Sequence, residues 1–116
     1  MVNTLLDNYF DYIKKDFSIK EEDNYIKIIT PYLDSQNDYI EFYITKNEEL
    51  FEITDDGNLL NSVYKSVDLK EFREILNQYD LRIKDNKIIG TCDKNTLCEK
   101  IHEYIQAQLK ISAKLI

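Results

Sequence analysis

Glycine and proline are nearly missing from this chain. With two glycines and one proline in 116 residues, there is almost no material for long irregular loops or for glycine-lined phosphate cradles, so most of the chain must be regular structure. No apolar run approaches the roughly eighteen residues of a membrane helix. Residues 1–7 carry neither a basic start nor an apolar stretch, so the cytoplasm is the expected compartment. Cysteine is scarce as well. Cys92 and Cys98 have neither the spacing of a metal knuckle nor the density of a secreted disulfide scaffold, and reduced structural thiols are expected. The single histidine, His102, follows Cys98 by one helical turn, but a zinc site needs three or four ligands and a Cys-His dyad needs an oxyanion hole. No cofactor is expected.

Basic residues are short in one half only. Residues 1–64 hold fourteen acids against five lysines, a balance of −9, whereas residues 65–116 hold eight acids against ten bases, a balance of +2. The net −7 argues against direct nucleic-acid binding, which needs Lys and Arg in excess on the binding face. What is present is ordinary for a folded protein: 43% hydrophobic and 32% charged residues, in a length that suits a single α+β domain over residues 1–116.

The patterning supplies the elements. Asn3 can cap a helix whose broad apolar face carries Leu6, Phe10, Ile13 and Phe17, widened by Leu5, Tyr9 and Tyr12. After a polar stretch over residues 18–24, residues 25–30 read as a strand that stops at Pro31. A turn cluster at 34–38 precedes a second strand in which Ile40, Phe42 and Ile44 alternate with Tyr39, Glu41 and Tyr43. A third runs from Leu50 to the turn Asp55-Asp56-Gly57. Leu59, Leu60, Val63, Tyr64 and Val67 suggest a short helix, and the capping box Asp68/Glu71 opens a stronger one with Leu69, Phe72, Ile75, Leu76 and Tyr79 buried. Residues 81–84 and 87–92 flank Asp85-Asn86, a two-residue hairpin signal. Thr96 and Glu99 form a second capping box before a terminal helix. The expected order is α-βββ-αα-ββ-α, an antiparallel sheet packed against helices.

Two kinds of chemistry can use these residues. Asp34, Asp38, Asp55 and Asp56 come from turns of one meander, and converging carboxylates can hold Mg²⁺ or Mn²⁺ for phosphodiester cleavage. Such a nuclease also wants a lysine two residues after a strand carboxylate, and Tyr43 and Thr54 stand there instead. Ordinary Asx-turn chemistry accounts for the same aspartates. The alternative is a binding face. Tyr25, Tyr39 and Tyr43 share the sheet with Glu41, Glu48, Glu49 and Glu52, and tyrosine among carboxylates suits a basic protein partner.

The segments Ile29-Thr30-Pro31-Tyr32-Leu33-Asp34, Asn37-Asp38-Tyr39-Ile40, Thr54-Asp55-Asp56-Gly57 and Ile105-Gln106-Ala107 resemble the DUF1828 family. The chain departs from the family pattern at Tyr32, where Phe is more typical, and at Asn58-Leu59-Leu60, where an aromatic and a Thr are expected. The resemblance implies small proteins of bacteria, phages and mobile elements, some in defence neighbourhoods, and supplies context rather than chemistry. The element order is also analogous to that of type III secretion chaperones. The expectation is a non-enzymatic, anti-CRISPR-like acidic protein that inhibits or modulates a host defence protein, such as a nuclease or another nucleic-acid-binding protein, through a basic surface. Its binding residues would be Asp34, Asp38, Tyr39, Glu41, Tyr43, Glu48, Glu49, Glu52, Asp55 and Asp56. A divalent-metal nuclease and a homodimeric chaperone-like adaptor are the two alternatives.

Overall fold

A computed structural model describes residues 2–34, 36–59 and 69–114. Its elements are α1 (Val2–Lys14), β1 (Ser18–Glu21), β2 (Ile26–Leu33), β3 (Tyr39–Asn47), β4 (Leu50–Thr54), α2 (Leu69–Gln78), β5 (Arg82–Lys84), β6 (Lys87–Asp93) and α3 (Leu97–Ala113). The six strands form one antiparallel sheet in the order β1-β2-β3-β4-β6-β5. The α+β class and the antiparallel sheet are as the sequence indicates. The short helix expected from Leu59 to Val67 falls mostly on residues 60–68, outside the described residues.

Alternation decides which face is core. The inward residues Ile40, Phe42 and Ile44 of β3 are buried, and Ile28, Ile53 and Ile88 of neighbouring strands join them. α3 lies across β6 and β4, and α2 packs against α3. Phe42, Ile53 and Tyr104 are fully buried, and each large side chain removed from water contributes about 1.5–3 kcal/mol. Gly90 permits the close approach of α3, since a Cβ there would lie 2.9 Å from Leu81 Cδ2 and 3.2 Å from Lys100 Cδ. The Tyr104 hydroxyl donates to the Ile88 carbonyl at 2.8 Å, which pins α3 to β6 and satisfies a buried phenol.

Several local details differ from the sequence reading. Asn3 lies inside α1 rather than capping it, and the helix ends at Lys14, short of Phe17. The polar stretch after α1 contains an edge strand, β1, with all four residues exposed. The Thr96 hydroxyl is turned away from its expected cap and donates to Asp93 Oδ1 at 3.0 Å. Asp85 and Asn86 both have positive φ, 53° and 62°, the backbone that a two-residue hairpin turn requires.

Pro31 does not stop its strand. β2 continues to Leu33, and the pairing register with β3 shifts between Ile29 and Leu33. A proline has no N–H for the ladder and is tolerated at such a bulge. Thr30 repairs the gap: its buried hydroxyl donates to the Ile40 carbonyl at 2.9 Å and accepts from the Tyr32 amide at 3.2 Å. Thr30→Val keeps the shape and leaves both backbone groups unpaired, so urea denaturation should show a loss of about 1–3 kcal/mol. Thr30→Ser should recover most of it.

Candidate functional site

The bulge in β2 swings the chain into a tight turn. Asp34 Oδ1 accepts the amides of Gln36 at 2.8 Å and Asp38 at 3.0 Å, while the Asp34 amide donates to the Asp38 carbonyl at 2.8 Å. Asn37 sits at φ 62°, a conformation that Asn tolerates well. Beside this turn, β4 ends in Thr54-Asp55-Asp56-Gly57. Asp55 is 2% exposed. Its Oδ1 accepts the Gly57 amide at 3.0 Å, and its Oδ2 accepts the Leu59 amide at 3.0 Å and Gln108 Nε2 at 2.9 Å. Gly57 is required here because its φ is +89° and a Cβ would lie 3.1 Å from the Asn86 carbonyl oxygen.

The two turns meet. Asp34, Gln36, Asp38, Tyr39, Ile40, Glu41, Asp55, Asn58, Leu59 and Gln108 enclose a cleft of about 410 Å³. The carboxylates within it are largely committed. Asp34 holds its own turn, Asp55 holds backbone amides and Gln108, and Glu41 pairs with Lys27 at 3.5 Å. Asp56, next to the cleft, pairs with Lys87 at 3.1 Å. Asp55, placed by the sequence among the binding residues, lines the cleft while 2% exposed, with both carboxylate oxygens already accepting hydrogen bonds from the protein. Among the described residues, no three His, Cys, Asp or Glu side chains are grouped so as to hold a metal ion.

A family model, Domain of unknown function DUF1828, matches residues 30–111. The chain belongs to the DUF1828 family. Comparison with curated proteins and with solved structures gave no match. The DUF1828 segment begins at the bulge residue Thr30 and ends on α3, so it spans both aspartate turns, the cleft and Gln108. Much of the DUF1828 motif therefore does structural work: Thr30, Asp34, Asp55 and Gly57 close a bulge, a turn and a cap.

Other expected residues lie elsewhere. Tyr39, Glu41 and Tyr43 share the outer face of the sheet with Glu52 and Lys27. Lys27 Nζ stands 5.9 Å from the Tyr43 ring centre, and Tyr25 meets Tyr43 edge-on at 5.5 Å. Both signs of charge thus occur on that face. Glu48 and Glu49 occupy the β3–β4 turn at the opposite end of β3, a strand that spans about 26 Å from Tyr39 to Asn47 at roughly 3.3 Å per residue. The strand register puts the β1–β2 turn at this same end, since Ile26 pairs with Ile44. That turn, closed by the Glu22 amide donating to the Tyr25 carbonyl at 2.9 Å, adds Glu21, Glu22 and Asp23. A second cleft of about 530 Å³ lies there, lined by Glu21, Glu22, Asp23, Tyr25, Lys46 and Phe51 among others. The sequence reading left residues 21–23 aside as a polar stretch; only the pairing register brings them to Glu48 and Glu49.

On α3, burial raises the Tyr104 phenol well above its ordinary value, and nearby Asp55 adds to the effect. Burial also raises the Cys92 thiol, whereas Cys98 is exposed.

The two adjacent aspartates of the DUF1828 motif should behave differently. Asp55→Ala removes a cap and strands Gln108, so chemical denaturation should register a loss of about 3 kcal/mol. Asp56→Asn keeps a residue that accepts positive φ and removes only an exposed ion pair, so less than about 0.5 kcal/mol is expected.

Proposed function

We propose that this DUF1828 protein is a non-enzymatic binding protein that docks the acidic end of its sheet onto a basic surface of another protein. The observation that carries the reading is the division of the acids. Around the motif cleft, Asp34, Asp55, Glu41 and Asp56 are held by amides, Gln108, Lys27 and Lys87, and Asp38 is exposed. At the other end, Glu21, Glu22, Asp23, Glu48 and Glu49 are exposed, and no ion pair among the described residues involves them.

Five like charges on two adjoining turns repel one another and contribute nothing to folding, so a cationic partner relieves that repulsion and gains long-range attraction. Tyr25 and Tyr43, packed edge to face beside them, offer rigid contact area at small entropy cost. The partner this suits is a nuclease or another nucleic-acid-handling protein, whose basic groove the carboxylates occupy in place of phosphates. In the phage and defence setting suggested by the family resemblance, the outcome of such docking is inhibition or modulation of a host defence protein.

Capture of the partner on immobilised protein, followed by titration across a salt series, tests the reading. Glu48→Lys combined with Glu49→Lys should weaken the complex at least tenfold at about 0.1 M salt, with the difference shrinking at higher salt. Asp38→Lys, at the far end, should change affinity much less. Equal affinity for wild type and the double variant at every salt concentration contradicts the proposal.

A further inference from the structure

The cleft at the acidic end of the sheet has an apolar floor. Glu21 pairs with Ile26 and Ile26 with Ile44, so these three side chains share the core face of the sheet. Lys46 and Phe51 pair two residues further along the same face. α3 covers this face over β6 and β4, but at the acidic end Ile26 and Phe51 are only partly buried. They line the cleft of about 530 Å³ with Ile44, and the exposed Glu21, Glu22 and Asp23 line it too. Its volume falls within the roughly 300–1,000 Å³ of small-ligand pockets.

A cation already uses this floor. Lys46 Nζ stands 5.9 Å from the centre of the Phe51 ring, and no ion pair among the described residues involves it, although three carboxylates line the same cleft. Phe51 therefore turns its face to a positive charge, while the carboxylates are left for another one.

We propose that this cleft is the socket for a single arginine side chain of the basic partner, an inference that rests on the docking of the acidic end. The hydrocarbon stem of the arginine lies on Ile26 and Ile44. Its flat guanidinium stacks on the Phe51 ring in place of the exposed Lys46 ammonium, and its N–H edge forks to a carboxylate of Glu21 or Glu22. A lysine of the partner, with a compact and strongly hydrated ammonium, gains less from the ring and has no fork to offer.

Titration of the isotope-labelled protein with a capped peptide carrying one arginine among glycines, and with its lysine counterpart, tests the socket. The arginine peptide should move the methyl signals of Ile26 and Ile44 and the ring signals of Phe51, and should bind about threefold more tightly than the lysine peptide. Phe51→Leu, which keeps the floor apolar, should abolish that preference with unchanged circular dichroism. Ile26, Ile44 and Phe51 signals that stay still while the amides of Glu48 and Glu49 respond overturn the socket and leave the docking of the acidic end standing. Equal affinity for the two peptides, or a preference that survives Phe51→Leu, overturns it as well. The docking reading fails separately, on a captured partner indifferent to Glu48→Lys combined with Glu49→Lys.

Discussion

The buried carboxylate of Asp55 joins three parts of the fold that share no sequence neighbourhood. It ends β4, caps the helical turn that begins at Asn58, and takes a hydrogen bond from Gln108, 53 residues further on. A charged group inside a protein is tolerated only with several donors around it, so its position depends on α3 lying on the sheet. The dependence also runs the other way. Gln108 and Tyr104 are on the same helix, and the Tyr104 hydroxyl is held by β6, so the Asp55 cap and the α3 contact with the sheet stand together.

This constraint sorts the acidic residues. In a chain with so few glycines, most of the tight turns are made by Asp and Asn: Asn37, Asp56, Asp80, Asp85 and Asn86 take positive φ, and Glu48 does so with its carboxylate left exposed. Much of the acidity around the motif therefore serves backbone geometry and is neutralised locally. What remains for a partner is the charge that turn chemistry does not consume, and it collects where the β1–β2 and β3–β4 turns lie side by side. The unpaired acidic turns and the aspartate turns around Asp34 and Asp55 occupy opposite ends of one sheet.

Much of the fold was legible in the sequence because its signals are local. The alternation of Ile40, Phe42 and Ile44 marked the inner face of β3, and Asp85-Asn86 marked the last hairpin. β1 was not legible, since Ser18–Glu21 is exposed on every residue and its edge position leaves no apolar period to read. Pro31 read as a strand end because the compensating hydroxyl of Thr30 acts through a partner ten residues away. The site was only half legible for the same reason. Charge counting found Glu48 and Glu49, but the neighbourhood of Glu21, Glu22 and Asp23 follows from register, and the burial of Asp55 follows from a helix at the other end of the chain.

The most direct measurement is a titration of the isotope-labelled protein with a short oligoarginine peptide, followed through every backbone amide signal. The account predicts that the shifts concentrate on residues 21–25 and 46–50, fade as salt is added, and leave the amides of Gly57 and Leu59 unmoved. Shifts centred instead on residues 34–41, or spread evenly over the sheet, would contradict the claim that the free charge lies opposite the motif.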